Sequence, residues 1–310
     1  MSTALILDKE TNFVLLSKYI TSYKVWSQLS DELERHNVFY GFLPNTKDIW
    51  VRDFMPLQTY NGYCSYVYGP DYLMKDPELR AFISRVRDCM PSFLTCDFVP
   101  FPPILQNLCL VLDGGNLIKT DKHLIMTDKV FEENKKSSRE MITELLKQTL
   151  GVTPVYIPWD KSEPYGHADG MVRYVGDDTV LITNYCDFDP SFRTKLIKSL
   201  SPFFDIKELH YEVDKSNKNN WAYINFQQVD NCIFMPAMGI PEDEQAQRQL
   251  SDIYKCEVVP IRCEQLIRRG GALNCISWNI KYDKGFHYCA NDFGAKDALQ
   301  LPASSDLLSI

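Results

Sequence analysis

Five polar residues recur along this 310-residue chain, each at the same place in a similar run of segments. Asp53, Asn116, Asp169, Asn225 and Cys275 stand 63, 53, 56 and 50 residues apart. Each reads as a polar residue embedded in a β-like segment that leads into a turn. In a complete copy a second apolar strand, an amphipathic helix and a third strand follow. A period near 50 residues built from one mixed strand–helix unit restricts the chain to a stacked or closed repeat architecture.

The copies differ in ways that bear on closure. The Asn116 copy reads as a segment at 114–118, a turn at Asp121-Lys122, a strand at 124–127, a helix at 138–150 and a strand at 152–157. The Asp169 copy runs through 167–175, a turn at Gly176-Asp177-Asp178, a strand at 180–183, a helix at 190–200 and a strand at 206–211. The Asn225 copy covers 221–227, a turn at Asp230-Asn231, a strand at 233–236, a helix at 241–254 and a strand at 257–261. The Asp53 copy carries a long insertion at 57–76 before a helix at 77–89. The Cys275 copy, 270–278, passes into a hairpin ending near 287–291 and has no helix of its own. The N-terminus supplies what is missing: strands at 5–8 and 13–17, a helix over 18–36 and a strand at 38–43. The two chain ends are therefore expected to complete one unit and close a ring of five blades. No copy reads as a terminal cap, which also favours closure.

In such a ring the inner strands would present two carboxylates, two amides and a thiol to one centre. His167 adds an imidazole two residues before Asp169, and side chains at i and i+2 of a strand share a face. Gly166 and Gly170 flank the pair and leave room for a close approach to the backbone. A titratable base aimed with a carboxylate is a plausible catalytic pair. An isolated His-x-Asp is more often a satisfied polar pair on a half-buried strand, but five polar positions in register favour a convergent site.

Composition narrows the partners. The chain is 45% hydrophobic and 24% charged, as ordinary globular proteins are, and its formal charge is −8. Nucleic acid and anionic membrane surfaces, which want a basic face, are not expected partners. The first residues lack a basic region and reach Asp8-Lys9-Glu10 too soon for a signal peptide, and no apolar run approaches a membrane span. A cytoplasmic protein is expected. The 10 cysteines are scattered, with Cys109, Cys186 and Cys232 in strand-like apolar runs and no C-x-x-C pair. A zinc site is not expected, and buried free thiols in a reducing compartment are the simplest account. Cys275 differs because it closes the glycine-rich stretch Gly270-Gly271-Ala272-Leu273-Asn274.

The motifs Trp50-Val51-Arg52-Asp53, Gly114-Gly115-Asn116, Gly166-His167-x-Asp169-Gly170, Asn225 and Gly270-Gly271-Ala272-Leu273-Asn274-Cys275 are individually weak but specific in order and spacing. With them the chain resembles the agmatine deiminase and bacterial peptidylarginine deiminase family of guanidino-group-modifying enzymes. The resemblance implies the pentein fold, a five-bladed α/β propeller, as a single catalytic domain over 1–310. It also implies Cys275 as nucleophile, His167 as general acid and base, and Asp53 and Asp169 as the carboxylates that hold a guanidinium. Asn225 belongs to the site by the same resemblance, Asn116 with Gly114 and Gly115 lines it, Gly271 joins the substrate-binding set, and Trp50 covers one face of the planar group. The implied reaction converts agmatine to N-carbamoylputrescine and ammonia, a step of putrescine and polyamine biosynthesis, with no metal or organic cofactor. The partner is then a small cationic guanidino substrate; a homo-oligomer is one open possibility for assembly.

The chemistry of the residues agrees. A guanidinium is planar, delocalised and always charged, so carboxylates in bidentate geometry suit it. Its central carbon is a poor electrophile, and a thiolate is the strongest side-chain nucleophile available. The chain departs from the family where Asn274 precedes the nucleophile, a position at which agmatine deiminases commonly have histidine, and where Ile276-Ser277-Trp278 follows it. It is also shorter than most agmatine deiminases.

Two other readings stay open at this level. A deiminase of free or peptidyl arginine, or a related dihydrolase, would use the same core and differ in what meets the far end of the substrate. The insertion at 57–76, with Tyr60, Tyr63, Tyr66, Tyr68, Asp71 and Tyr72 and no basic residue before Lys75, favours a cationic or neutral tail. A non-catalytic propeller would have no reason to gather a thiol, an imidazole and two carboxylates.

Overall fold

The computed structural model describes residues 5–70, 86–91, 106–162 and 165–282, together with Ala81, Leu94 and Leu299–Gln300. Its strands form five small sheets that repeat one plan. In the Asn116 unit, Ile118–Lys119 pairs antiparallel with His123–Thr127, which pairs parallel with Thr153–Ile157. Helix Arg139–Leu150 makes the crossover that parallel pairing requires. The Asp169 unit repeats this with Val172–Gly176, Thr179–Ile182, helix Pro190–Leu200 and Asp205–Glu208. The Asn225 unit uses Gln227–Val229, Cys232–Ala237, helix Glu242–Tyr254 and Glu257–Arg262. In the Asp53 unit the strands are Leu57–Thr59, Gly62–Val67 and Gln106–Val111.

The fifth unit is built from both ends of the chain, as the repeat count requires. Ser277–Ile280 pairs antiparallel with Phe13–Ser17, which runs parallel to Phe39–Leu43 across helix Val25–Arg35. Leu299–Gln300 adds a fourth strand beside Phe39–Leu43.

Local sequence explains these elements. Ser138 accepts the Met141 N–H at the start of its helix, and Gly151 ends it in the left-handed region at φ 68°. Asp189 caps the next helix by accepting the Phe192 N–H, with Pro190 in the first turn. Glu242, Asp243 and Glu244 place negative charge at the positive end of the third. Asp177 and Asp178, at φ 48° and 54°, form the two-residue turn between Gly176 and Thr179 that the right-handed strand twist favours.

Each of these four helices packs not only on its own sheet but on the sheet of the preceding unit. Ile142, Leu146 and Leu150 meet Leu108 and Leu110 of the Asp53 unit. Leu196 and Leu200 meet Val155 and Ile157 of the Asn116 unit. Ala246 and Leu250 share a cluster with Leu181 and Leu209, and Leu29 and Leu33 with Phe234 and Ile261. Phe13, Leu15 and Trp278 of the two-ended unit pack with Val51, Phe54 and Tyr63 of the Asp53 unit. The apolar cores therefore lie between units, so no unit buries its own face alone, and the inner turns are held by both neighbours.

Several expectations are corrected. Asp53, Asn116 and Asp169 do not sit in strands but in short helical turns, Val51–Phe54, Gly114–Asn116 and Ala168–Gly170, just before the inner strands. Asn225 ends a similar turn, Asn220–Ile224, and Cys275 lies in the turn before Ser277–Ile280. The alternation argument for His167 and Asp169 therefore fails, because no strand carries them. Much of the presumed insertion at 57–76 is the regular hairpin of the first unit, in which Tyr63 is core; residues 71–76 lie outside the described residues, as do most of the expected helix at 77–89 and the hairpin end at 287–291. The single helix expected over 18–36 divides into a 3₁₀ turn, Lys18–Ser22, and helix Val25–Arg35. The expected strand at 5–8 is one bridge, Leu5 to Thr59, followed by the turn Asp8–Glu10. Cys109 is exposed rather than buried. Among the described residues no helix is long and apolar enough to cross a membrane.

Candidate active site

The inner turns meet around a cleft of about 1190 Å³ whose walls include Trp50, Asp53, Asp113, His167, Gly271 and Cys275. Backbone bonds between units fix the turns: Arg52 N–H donates to the Cys275 carbonyl at 3.1 Å, and Asn274 N–H to the Asn225 carbonyl at 3.1 Å. Two glycines allow close approach. A Cβ on Gly115 would lie 2.7 Å from His167 Nδ1 and 2.8 Å from Asp53 Oδ1. One on Gly271 would lie 2.3 Å from the Trp50 ring, so the bare backbone lets the indole lie against it.

His167 sits between two carboxylates. Its Nε2 is 3.1 Å from Asp113 Oδ2 and its Nδ1 is 3.7 Å from Asp53 Oδ1. Asp53 Oδ1 also accepts the Gly115 N–H at 3.0 Å. Asp113 in turn meets Lys129 Nζ at 3.1 Å, and Lys129 reaches Glu133 at 2.8 Å. Burial alone would lower the His167 pKa, but Asp53 and Asp113 outweigh it and raise it to about 10. Burial would raise Asp113; His167 and Lys129 outweigh that and hold it below the usual carboxylate range. At Asp53 burial prevails over the attraction of His167 and pushes the carboxyl up to about 7. The imidazole is thus kept protonated at neutral pH.

Cys275 occupies a different setting. Its Sγ lies 3.3 Å from Asn225 Oδ1 and 3.6 Å from Asp169 Oδ2. Burial, then the charges of Asp169 and Asp53, push the thiol well above its usual range. Asp169, 2% exposed, accepts the Asn274 amide at 2.7 Å.

The candidate residues thus divide. Trp50, Asp53, His167, Gly271 and Cys275 line the cleft. Asp169 and Asn225 lie behind the sulfur they touch, and Gly114 and Gly115 form the turn beside Asp53 and His167. Asn116 does not line the cleft: its Oδ1 accepts the Thr127 N–H at 2.8 Å and so ties the turn to the neighbouring strand. Sequence reasoning missed Asp113, the nearer partner of His167, although it directly precedes the glycine pair that marks its turn. It also missed Arg173, whose signal is a lone cation in the apolar run Val172–Val175.

Among the described residues one group has the spacing of metal ligands, Cys186, Asp187 and His210. Asp187 there already accepts from Asn184 Nδ2, the Tyr211 N–H and His210 Nδ1, which makes the group a tie between a short helix and the strand end that follows.

Five such units around polar inner turns define the pentein fold. Within it, the chain belongs to the Porphyromonas-type peptidyl-arginine deiminase family, whose profile matches residues 14–280. A protein of Listeria monocytogenes provisionally named agmatine deiminase 1 is 24% identical over 287 residues, covering 75% of each chain. Agmatine deiminase of C. jejuni superposes with a TM-score of 0.69 at 15% identity, over 91% of this chain and 97% of that one. A Porphyromonas gingivalis protein provisionally titled arginine deiminase gives a TM-score of 0.69 at 19% identity, over 93% and 100%.

Proposed function

We propose that the chain is a guanidino-group hydrolase acting as one catalytic domain, with agmatine as substrate and N-carbamoylputrescine and ammonia as products. The observation that carries this reading is the meeting of the Cys275 thiol, the His167 imidazole and the Asp53 and Asp113 carboxylates in one cleft of a deiminase-family fold, with Asp169 against the sulfur. The name of the L. monocytogenes relative supports agmatine over arginine.

In this mechanism Asp53 and Asp169 hold the guanidinium by charge-assisted hydrogen bonds, while Trp50 covers its flat face. The bound cation beside Cys275 offsets the charges that keep the thiol protonated, and the thiol proton leaves to solvent. Sγ attacks the central carbon and forms a C–S bond. His167, already protonated, gives its proton to one nitrogen; the C–N bond breaks and ammonia leaves. A covalent thiouronium remains on Cys275. Neutral His167 then takes a proton from water as the oxygen attacks the same carbon; the C–S bond breaks, the remaining hydroxyl proton passes to the departing sulfur, and the ureido product leaves Cys275 restored as thiol. Asp113, with Lys129 behind it, holds the imidazole in place through this cycle.

The test is ammonia release from agmatine, arginine, methylarginine and arginine peptides. The reading expects the highest kcat/KM for agmatine; a clear preference for arginine or an arginine peptide would replace that substrate while keeping the chemistry.

A further inference from the structure

Beneath the Asp169 carboxylate, on the side away from the cleft, runs a line of buried polar groups that the proposed chemistry does not use. Asn274 Nδ2 donates to Asp169 Oδ2 at 2.7 Å, and Asn274 Oδ1 accepts from Arg173 Nη1 at 2.9 Å. Arg173 is 2% exposed, lies 4.5 Å from the centre of the Phe226 ring, and meets Asp8 Oδ2 at 3.0 Å. Asp8 also meets Lys119 Nζ at 2.9 Å. These residues come from the Cys275, Asp169 and Asn116 units and from the N-terminal segment, so the line joins four parts of the chain at one point.

The donor and acceptor pattern leaves Asn274 one orientation. A guanidinium only donates, so the amide oxygen must face Arg173. The amide nitrogen must then face Asp169, whose Oδ2 accepts from it. Arg173 and Lys119 both meet Asp8, and Asn274 stands as a neutral amide between that charged cluster and Asp169. A salt bridge made directly to Asp169 would instead compete with a cationic ligand for the same oxygens.

We propose that Asn274, locked between Arg173 and Asp169, is a positioning residue that keeps the Asp169 carboxylate aimed at the bound guanidinium, with Asp8 and Lys119 securing the line from below. The same logic accounts for the departure at this position. An imidazole can also accept on one nitrogen and donate from the other, so histidine and asparagine can fill the place with the same polarity, whereas an apolar residue cannot.

This inference rests on the proposed reaction, and its test separates the two. Agmatine binding is measured by calorimetry on Cys275→Ser, which binds without turnover, alone and combined with Asn274→Leu or Asn274→His. Thermal melting checks that each protein is folded. In parallel, the rate at which iodoacetamide alkylates Cys275 is followed by mass spectrometry at neutral pH in otherwise wild-type protein. Asn274→Leu should weaken agmatine binding roughly 10- to 100-fold, the range of one lost charge-assisted hydrogen bond. It should also slow alkylation several-fold, because Asp169, without its amide donor, holds the thiol proton more strongly. Asn274→His should keep both values near those of the parent. Equal binding and equal alkylation in a folded Asn274→Leu protein would overturn the role of Asn274. Should Asn274→Leu melt too low to assay, Arg173→Lys, which keeps the charge but not the fork, is measured in its place and is expected to show the same two losses. If Cys275→Ser fails to bind agmatine while Asn274→Leu still slows alkylation, the substrate assignment falls and the positioning role stands.

Discussion

The two halves of the cleft treat charge in opposite ways. On one side His167 is held by Asp53 and Asp113, and these anions keep its proton in place to about pH 10. On the other, Cys275 faces Asp169 and Asn225, with no cation in contact among the described residues, and its thiol is pushed well above the usual range. The free protein thus stores a proton on its acid and another on its nucleophile. Neither half is ready alone, and a cation placed between them supplies what the thiol side lacks. This difference makes the guanidinium part of the machinery: it activates the group that attacks it.

The largest expected effect comes from the thiol side. Cys275→Ser should abolish measurable ammonia release, because a hydroxyl is a far weaker nucleophile at neutral pH. Substantial residual activity would remove covalent catalysis. His167→Ala should lower kcat by about 10² to 10⁴, and intact-mass measurement with agmatine checks whether a thiouronium adduct accumulates on Cys275 when hydrolysis is the slower step.

The carboxylates come next. Asp53→Asn and Asp169→Asn should each lower kcat/KM by the equivalent of about 2 to 5 kcal/mol, as for a buried charge that loses its partner. Melting temperatures near wild type would place the loss in substrate binding. Normal turnover in both variants would refute the assignment.

pH dependence sharpens the comparison. Asp53 holds a cation only when ionised, and its pKa is raised to about 7, so kcat/KM for agmatine should rise with pH through about 7. His167 acts as an acid only while protonated, so activity should fall again near pH 10. Initial rates across this range check both limbs. A profile that falls as pH rises through neutrality would reverse the roles given to the two groups.

The smallest effect on chemistry should come from outside the cleft. Leu146→Ala, in the core between the Asp53 and Asn116 units, should cost about 2 to 5 kcal/mol of stability in a denaturant titration. At low temperature it should leave kcat/KM nearly unchanged. A large loss of activity in the folded variant would mean that the inter-unit cores do more than hold the turns.

The fold was largely legible because its signals are local and repeated. Helix caps at Ser138 and Asp189, the Gly151 stop and the turn at Asp177-Asp178 each act within a few residues, and the even spacing of Asp53, Asn116, Asp169, Asn225 and Cys275 set the number of units. Assigning those five residues to strands failed because each lies on a short helical turn whose form depends on neighbouring units. The bond from Arg52 to the Cys275 carbonyl is one such dependence and leaves no local pattern. For the same reason the partner of His167 was misread: Asp169 is two residues away in sequence, but Asp113, 54 residues away, is the carboxylate its Nε2 meets. The line from Asn274 to Asp8 was invisible, since it joins residues more than 100 positions apart through side chains alone.

The most direct test of the central claim is ammonia release from agmatine by the wild-type protein, with Cys275→Ser assayed beside it and the product identified by mass. The account predicts one ammonia and one N-carbamoylputrescine per agmatine consumed by the wild type, and none by the variant. Absence of ammonia from agmatine, arginine, methylarginine and arginine peptides alike, with well-folded wild-type protein, would contradict it.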